Sequence, residues 1–177
     1  MRVFLAGIMQ GSFQEMRIVD QGWREAIKAS VARHLPAAEV YCHYEAHPES
    51  VTYRYPEIVR TLTDGFRRAA ECDLLIAYLP SASMGTAIEM YEAARSGAVV
   101  LTITPLTVNW VVLACSDQVF PSTAALDEFL AAGKLPELVI EQRRTTMPEA
   151  TRIEQDSMGP MTVPAYALWG ASTQRAV

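Results

Sequence analysis

Glu89 is the residue of this chain whose surroundings most favour chemistry. An apolar run at 74–77 predicts a buried strand, small polar residues at 81–86 predict a loop, and the helix that follows carries Glu89 in its second turn. Backbone N–H groups and the positive dipole end at the start of that helix can face an anion. A carboxylate held behind such a loop can act as a nucleophile or a base on the bound molecule.

Most glutamates in helices are solvated surface charges, so the neighbours of Glu89 decide between the two interpretations. At helical spacing Glu89 shares a face with four small residues, Gly85, Thr86, Ala93 and Ser96. A solvated face usually carries long charged side chains, whereas small side chains leave room for a ligand over the carboxylate. We therefore interpret Glu89 as a functional residue.

The composition is that of an ordinary soluble globular protein. Of the 177 residues, 50% are hydrophobic and 20% are charged, and the formal net charge is −5. That charge gives no general attraction for a nucleic acid polymer or an anionic membrane. Three scattered cysteines without metal-ligand spacing favour a reduced, cytoplasmic setting, and no signal peptide or membrane-spanning segment is expected.

Short apolar runs alternate with amphipathic stretches along the first three quarters of the chain. The predicted strands are 2–6, 39–42, 73–77, 98–103 and 116–120, and the predicted helices include 14–35, one that starts at Pro56 with Ile58, Leu62, Phe66 and Ala69 inward, and 122–132. This alternation predicts a single α/β domain over 1–140, Rossmann- or flavodoxin-like, with about five parallel strands and helices on both faces. The remainder, 141–177, is expected to be an irregular arm or a partly disordered tail.

In such a fold, ligands bind at the carboxyl ends of the strands. The loops after residues 6, 42, 78 and 103 fall at that edge, so Gly7, Ser83 and Glu89 are expected to converge. The polar, aromatic loop at 43–55 is long enough to suggest a role over the site.

Common cofactor and metal motifs do not fit the chain. The segment from Gly7 to Gly11 lacks the third glycine of a dinucleotide fingerprint, and the sequence contains no P-loop. Three histidines, His34, His43 and His47, form no metal motif. His43 and His47 lie in the long loop and could contact a ligand, but solvated loop positions are expected for both. We therefore expect neither a metal nor a cofactor. A flavodoxin-like redox protein stays open as an alternative that would require a bound flavin.

Several segments, taken in order, resemble the nucleoside 2-deoxyribosyltransferase-like superfamily. They are Phe4-Leu-Ala-Gly7, Asp73-Leu-Leu-Ile-Ala77, Ser83-Met-Gly-Thr-Ala-Ile-Glu-Met90, and Asn109 followed by Ser116-Asp117. The superfamily includes nucleoside deoxyribosyltransferases and N-glycosidases that hydrolyse nucleoside 5′-monophosphates. The resemblance covers about residues 3 to 130.

The resemblance implies roles for individual residues. Glu89 matches the nucleophile that attacks the anomeric carbon and forms a covalent glycosyl-enzyme. Ser83 falls where the hydrolases have a phosphate-binding serine and the transferases an aspartate. Asn109 matches a residue that reaches the site from a neighbouring subunit, which implies a homo-oligomer with shared sites. Gly7, Gly11 and Gly85 are expected to shape the sugar and phosphate end.

In addition to Ser83, two positions of this chain carry a residue different from the one that is common in the family. Phe4 stands where the family commonly has a tyrosine that bonds the nucleophile, and Gly65 stands where it has an aspartate that handles the proton of the leaving base. Asp64, one residue out of register, is the candidate replacement. At helical spacing Asp64 lies beside Arg60, Arg67 and Arg68, which favours a solvated charge for it.

The sequence therefore predicts an enzyme that cleaves the N-glycosidic bond of a nucleoside or nucleoside monophosphate through Glu89. Asn109 and Ser116-Asp117 favour a transferase and Ser83 favours a hydrolase, with the transferase ranked slightly first. Tyr44 or Tyr53 of the long loop are candidates to cover the base. A nucleotide-binding module without catalysis is the alternative of a different class.

Overall fold

The computed structural model describes residues 1–11, 13–15, 17–144 and 151–164. The chain divides after residue 146 into two compact units. The strands of the first unit are β1 Arg2–Gly7, β2 Glu39–Cys42, β3 Leu74–Tyr78, β4 Val99–Ile103 and β5 Gln118–Phe120. Its helices are α1 Trp23–His34, α2 His43–Ala46, α3 Tyr55–Glu71, α4 Met84–Arg95, α5 Trp110–Cys115, α6 Thr123–Ala131 and α7 Leu135–Arg144, with a 3₁₀ turn at Ser50–Thr52.

The five strands form one parallel sheet in the order β2-β1-β3-β4-β5. This is the flavodoxin-like order, in which the chain direction across the sheet reverses between β1 and β3. Those two strands run side by side and end together, with Gly7 opposite Tyr78. The predicted α/β fold with five parallel strands is therefore confirmed, and the loops that follow β1 and β3 flank the crevice where such folds bind ligands.

Two apolar layers cover the two faces of the sheet. On one face, α1, α6 and α7 pack on the strands through residues such as Ile27, Leu126 and Leu135. On the other, α3, α4 and α5 do so through Ala69, Met90 and Val112. The central strands β1, β3 and β4 are buried on both sides, which is why they are continuous apolar runs and not alternating patterns.

Helix α1 is shorter than the sequence predicted. It begins at Trp23 and not near residue 14, because the segment before it bonds to the loop after β1. The Val19 backbone N–H donates to the Met9 carbonyl at 2.8 Å, and the Gln21 side chain donates to the Ile8 carbonyl at 3.0 Å. These bonds hold 17–22 outside any helix, so the predicted helix 14–35 is wrong in the described residues before Trp23.

Helix α3 presents its apolar stripe differently from the prediction. Ala69 and Gly65 are buried against the rest of the domain, as expected for an inward side. Ile58 and Leu62 were also predicted to face inward, but they are 42% and 43% exposed. The small residues let α3 approach α4 closely, and the larger ones lie on the outer side.

The second unit contains an antiparallel hairpin of two strands, β6 Thr151–Asp156 and β7 Gly159–Pro164. Gly159 starts the return strand at φ +105°, a value that favours glycine, and the Asp156 side chain accepts a bond from the Met158 N–H at 2.9 Å. The described part of 141–177 is thus regular where the sequence predicted an irregular arm. The domain boundary at 140 stays a prediction, and α7 runs across it.

Candidate active site

The Glu89 carboxyl group lies on the inner side of α4, where that helix packs against α3. Its side chain keeps only a minor part of its accessible surface. Burial raises the pKa of Glu89 to about 8, and the positive charge of Arg24 opposes that rise. Within the described part of the chain, no hydrogen bond to the carboxyl group accounts for its pKa. Glu89 therefore holds a poorly solvated carboxyl group that is free to meet a ligand.

Arg24 supplies the positive charge that acts on Glu89 and is itself buried, with 2% of its surface exposed. Its guanidinium donates to the Gln21 Oε1 at 2.6 Å and to the Leu5 carbonyl at 3.2 Å, and it lies 4.2 Å from the Trp23 ring centroid. Burial lowers the pKa of Arg24, while Glu89 is among the groups that raise it. A fixed cation thus lies behind the carboxylate and favours its ionised form.

Replacing Arg24 with glutamine is expected to raise the pKa of Glu89 further, because the opposing charge is lost while burial remains. The matched control is Arg24→Lys, which keeps a positive charge and should leave the pKa lower than in the glutamine variant. Carboxyl titration by ¹³C NMR measures the pKa, with Glu89→Gln identifying the signal. An unchanged Glu89 pKa in Arg24→Gln would show that this charge does not act on the site.

Gly65 of α3 opens a gap between Glu89 and the imidazole of His43. A Cβ atom at position 65 would lie 3.8 Å from Glu89 Oε1 and 3.5 Å from both His43 Nδ1 and His43 Cε1. The position that was predicted to have lost an aspartate is therefore the position that faces the nucleophile candidate. His43 is not the solvated loop histidine that was expected, because its Nδ1 atom is buried.

Asp64, the predicted replacement for that aspartate, is held by arginines. Its carboxylate accepts bonds from Arg68 Nε and from an Arg67 guanidinium nitrogen, each at 2.6 Å. These bonds lower the pKa of Asp64, Arg68 first and Arg67 next. The Asp64 carboxylate therefore stays ionised and bound to the two arginines. This placement gives no support to Asp64 as a proton donor, and it agrees with the alternative interpretation, a solvated ion pair.

Ser83 is the N-cap of α4. Its Oγ accepts from the Thr86 N–H at 3.4 Å and lies 3.0 Å from Thr86 Oγ1. A Cβ atom at Gly85, in the first turn, would meet nothing within 4 Å. The start of α4 is therefore open to a ligand, and the backbone N–H groups there favour an anionic one.

Gly7 and Gly11 have backbone roles. A Cβ atom at Gly7 would come within 2.4 Å of the Trp23 ring, so only glycine lets that indole lie across the end of β1. The same indole stacks on Tyr78 at 4.6 Å. Gly11 adopts φ +62°, which favours glycine in the turn after β1. Both shape the crevice through the backbone, and their contact with a ligand stays a prediction.

Phe4 is fully buried, and its neighbour in the sheet is an aromatic residue with a hydroxyl group. Phe4 pairs in register with Tyr41 of β2, and their ring centroids are 5.3 Å apart. The Tyr41 hydroxyl is buried without a partner among the described residues. Burial raises the pKa of Tyr41, and the Glu89 charge adds to that effect. A phenol is thus present near Glu89 although position 4 lacks one.

Asn109 is the N-cap of α5, at the exposed end of that helix. Its Oδ1 accepts from the Val111 N–H at 3.0 Å and from the Val112 N–H at 3.4 Å. Its neighbours Val108 and Trp110 are 84% and 86% exposed. Asn109 therefore lies on an outward apolar surface, and its contribution to a site stays a prediction.

Tyr53 of the long loop bonds His47 Nδ1 through its hydroxyl at 3.2 Å.

Sequence reasoning missed Arg24, Tyr41 and His43. For Arg24 a signal was present, because it recurs with Ile27 and Val31 at spacings of three and seven on the apolar side of α1. A charged residue on such an apolar stripe is expected to be buried, and a buried charge almost always has a partner inside the protein. For Tyr41 and His43 the signal was only their place at the end of the second strand.

Within the described residues, no helix is long and apolar enough to cross a membrane, and no group of three acidic, cysteine or histidine side chains is arranged to hold a metal ion.

No family model matches the chain. Among curated proteins, 28 residues are 71% identical to fumarate hydratase class II of Photorhabdus laumondii, which is 16% of this chain and 6% of that enzyme. The chain thus spans a small fraction of that relative's length, and no family membership follows from the match.

Several solved structures match about three quarters of this chain. A 2-deoxyribosyltransferase from Bacillus psychrosaccharolyticus matches with a TM-score of 0.52 at 17% identity, over 72% of this chain and 90% of that chain. A conserved protein from Enterococcus faecalis V583 matches with a TM-score of 0.52 at 16% identity, over 75% and 98%. A CMP N-glycosidase from Clostridium botulinum gives a TM-score of 0.45 at 16% identity, over 75% and 99%. The two matches with a TM-score of 0.52 confirm the resemblance seen in the sequence at the level of the fold: this chain shares its fold with a 2-deoxyribosyltransferase.

Proposed function

We propose that this chain cleaves the N-glycosidic bond of a nucleoside or nucleoside 5′-monophosphate and passes the sugar to a second base. The observation that carries the proposal is the Glu89 carboxyl group, which is poorly solvated, receives no hydrogen bond from the described residues that would lower its pKa, and faces the gap above Gly65. The shared fold with a 2-deoxyribosyltransferase supports the same reaction.

In the proposed reaction, a Glu89 oxygen bonds to the anomeric carbon while the bond from that carbon to the base breaks. The electron pair of the broken bond leaves with the base. The transition state has oxocarbenium character, so a nearby carboxylate stabilises its positive charge before trapping it. A nitrogen of the second base then attacks the same carbon and releases Glu89.

The start of α4 is the proposed binding place for the 5′ end of the sugar. Gly85 leaves open space there, and Ser83 presents its hydroxyl group at the cap. A hydroxyl group and free backbone N–H groups suit a phosphate as well as a sugar hydroxyl. This arrangement supports a second candidate, hydrolysis of a nucleoside 5′-monophosphate with water as the acceptor.

The test is an incubation of the purified protein with 2′-deoxynucleosides and their 5′-monophosphates, each with and without a second free base, read by chromatography. New nucleosides that require the acceptor base are the expected result. Release of base from monophosphates without an acceptor would move the assignment to the hydrolase. Tight binding without turnover, unchanged by Glu89→Gln, would overturn catalysis and leave a nucleotide-binding module.

Gly65→Ala is expected to separate stability from activity. Alanine in the helix interior should raise the free energy of unfolding by about 0.5–1 kcal/mol, since the new methyl group meets its neighbours at ordinary contact distances. The same methyl group fills the gap that the substrate is proposed to enter, so kcat/KM should fall about tenfold or more. Thermal unfolding and the chromatographic assay measure the two effects, and activity at the wild-type level would place the substrate elsewhere.

We also propose that the chain forms a homo-oligomer through the outer side of α3, α4 and α5. Adjacent helices there expose large apolar side chains: Ile58, Val59, Leu62, Met84, Ile88, Tyr91, Trp110 and Leu113. Contiguous apolar surface on a soluble domain usually marks an interface. Asn109 lies at its border, which supports the prediction that this residue serves a neighbouring subunit.

A further inference from the structure

His43 carries a buried ring nitrogen that no described residue satisfies. Its Nδ1 atom is shielded from solvent and has no hydrogen-bond partner in the described part of the chain. Buried polar atoms of folded proteins nearly always have a partner, and a missing one destabilises the fold. An orphaned nitrogen beside a candidate site indicates that a ligand completes its hydrogen bonding.

The orphaned nitrogen faces the same gap as the Glu89 carboxyl group. Measured from a Cβ position built on Gly65, His43 Nδ1 is 3.5 Å away and Glu89 Oε1 is 3.8 Å away. The two atoms are therefore at most about 7 Å apart. One bound nucleoside can contact both of them, with its base at hydrogen-bond distance (~3 Å) from His43 and its anomeric carbon at attack distance (~3–3.5 Å) from Glu89, along a bent path.

His43 is uncharged at neutral pH in this setting. Burial, with smaller contributions from the nearby His47 and Arg24, lowers the pKa of His43 to about 4, and Asp64 opposes that fall. Glu89 faces it across the gap, and the rings of His47 and Tyr41 lie 4.9 and 6.4 Å away. A neutral imidazole can donate a hydrogen bond, but it has no extra proton to give away.

We propose that His43 contacts the base of the substrate and donates a hydrogen bond from Nδ1 to it as the base departs. The proposal rests on the function proposed above. As the Glu89 oxygen bonds to the anomeric carbon, the electron pair of the breaking C–N bond moves onto the base. The hydrogen bond stabilises that negative charge on a ring nitrogen or carbonyl oxygen, and the departed base takes its proton from water.

The variants are His43→Ala and His43→Asn, with His47→Ala as the matched control. Asparagine keeps a hydrogen-bond donor but cannot act as an acid. His47 is the neighbouring imidazole, and its Nδ1 already has Tyr53 as a partner. Thermal unfolding of each variant shows whether the loop still folds.

The probes are substrate pairs that differ only in how much negative charge the leaving base acquires. For purines the pair is 2′-deoxyguanosine and its N7-methylated analogue, whose base leaves uncharged. For pyrimidines the pair is 2′-deoxyuridine and its 5-fluoro analogue, whose base bears the charge more easily. Each is offered as the nucleoside and as the 5′-monophosphate, with an acceptor base present.

His43→Ala is expected to lower kcat/KM about 100-fold on the ordinary substrate, the usual cost of one lost donor to a developing anion. On the N7-methylated substrate the loss should shrink to about threefold or less, and His43→Asn should recover most of the activity on both. An equal loss on both members of a pair, or none, with Glu89-dependent turnover intact, would overturn the role of His43 alone. No turnover of any probe by the wild type would overturn the proposed function, and this inference with it.

Discussion

Glu89→Gln is expected to lower the rate of base release or exchange by on the order of 10³-fold or more, because glutamine cannot form the ester with the anomeric carbon. Glu92→Gln is the matched control, since Glu92 lies on the same helix and pairs with Arg95 at 2.7 Å at the surface. That control should keep near wild-type rates. The chromatographic assay measures both variants, and equal rates in wild type and Glu89→Gln would contradict the role of Glu89.

The same substitution is expected to stabilise the protein at neutral and alkaline pH. Burial raises the folded-state pKa of Glu89 to about 8, well above its ordinary value of 4.5. Below pH 4.5 the carboxyl group is protonated in both states and costs nothing. As the pH rises towards 8 the unfolded chain releases its proton and the folded chain retains it, so wild-type stability falls relative to Glu89→Gln.

Above pH 8 the stability difference should level off, at on the order of 2–4 kcal/mol. Unfolding by urea at pH 4, 6 and 8.5 measures it. A constant difference across these pH values would show that Glu89 is ionised as readily as an exposed glutamate. Catalytic groups commonly lower the free energy of unfolding, because a residue that suits the reaction need not suit the fold.

Charging the outer face of α3, α4 and α5 is the second substitution with a large expected effect. The double variant Trp110→Asp/Leu113→Asp should weaken self-association about 100-fold or more, because a few large apolar side chains commonly dominate the binding energy of an interface. Trp110 and Leu113 are 86% and 63% exposed in the single chain, so their replacement should leave the fold intact.

Sedimentation velocity measures the association, and the activity assay shows whether the site depends on it. Ile153→Asp is the matched control, since Ile153 is a large aliphatic side chain that is 79% exposed in the hairpin. A wild-type protein that sediments as a monomer at micromolar concentration would contradict the proposed homo-oligomer. So would an oligomer that survives the double substitution.

The sheet was predictable because its three central strands, β1, β3 and β4, are buried on both faces. Runs such as 74–77 and 99–103 are apolar without interruption, and only a parallel sheet covered by helices explains them. The start of α1 was not predictable from periodicity, since Val19 keeps the apolar spacing but bonds to the loop after β1. The outward side of α3 looks like a core stripe for a related reason: an apolar face does not reveal whether it packs inside the chain or against another one.

The candidate site was predictable in part. Glu89 stands out because its helical neighbours are small, and that pattern is local in sequence. His43 and Arg24 approach the same gap from a loop and from another helix, and no local pattern encodes such a meeting. Asp64 is adjacent in sequence to the position at the gap but does not take part in the site. One step of helical register places its carboxylate against Arg67 and Arg68, whereas Gly65 faces the gap.

The most direct test of this account is to trap the sugar on the protein. A nucleoside with a fluorine at the 2′ carbon of its sugar slows both steps, because the fluorine destabilises the oxocarbenium-like transition state. Incubation without an acceptor base, followed by mass spectrometry of the intact protein and its peptides, should show one added sugar on the peptide that contains Glu89. Glu89→Gln should acquire none. Base release by the wild type without any adduct on that peptide would contradict a covalent reaction through Glu89.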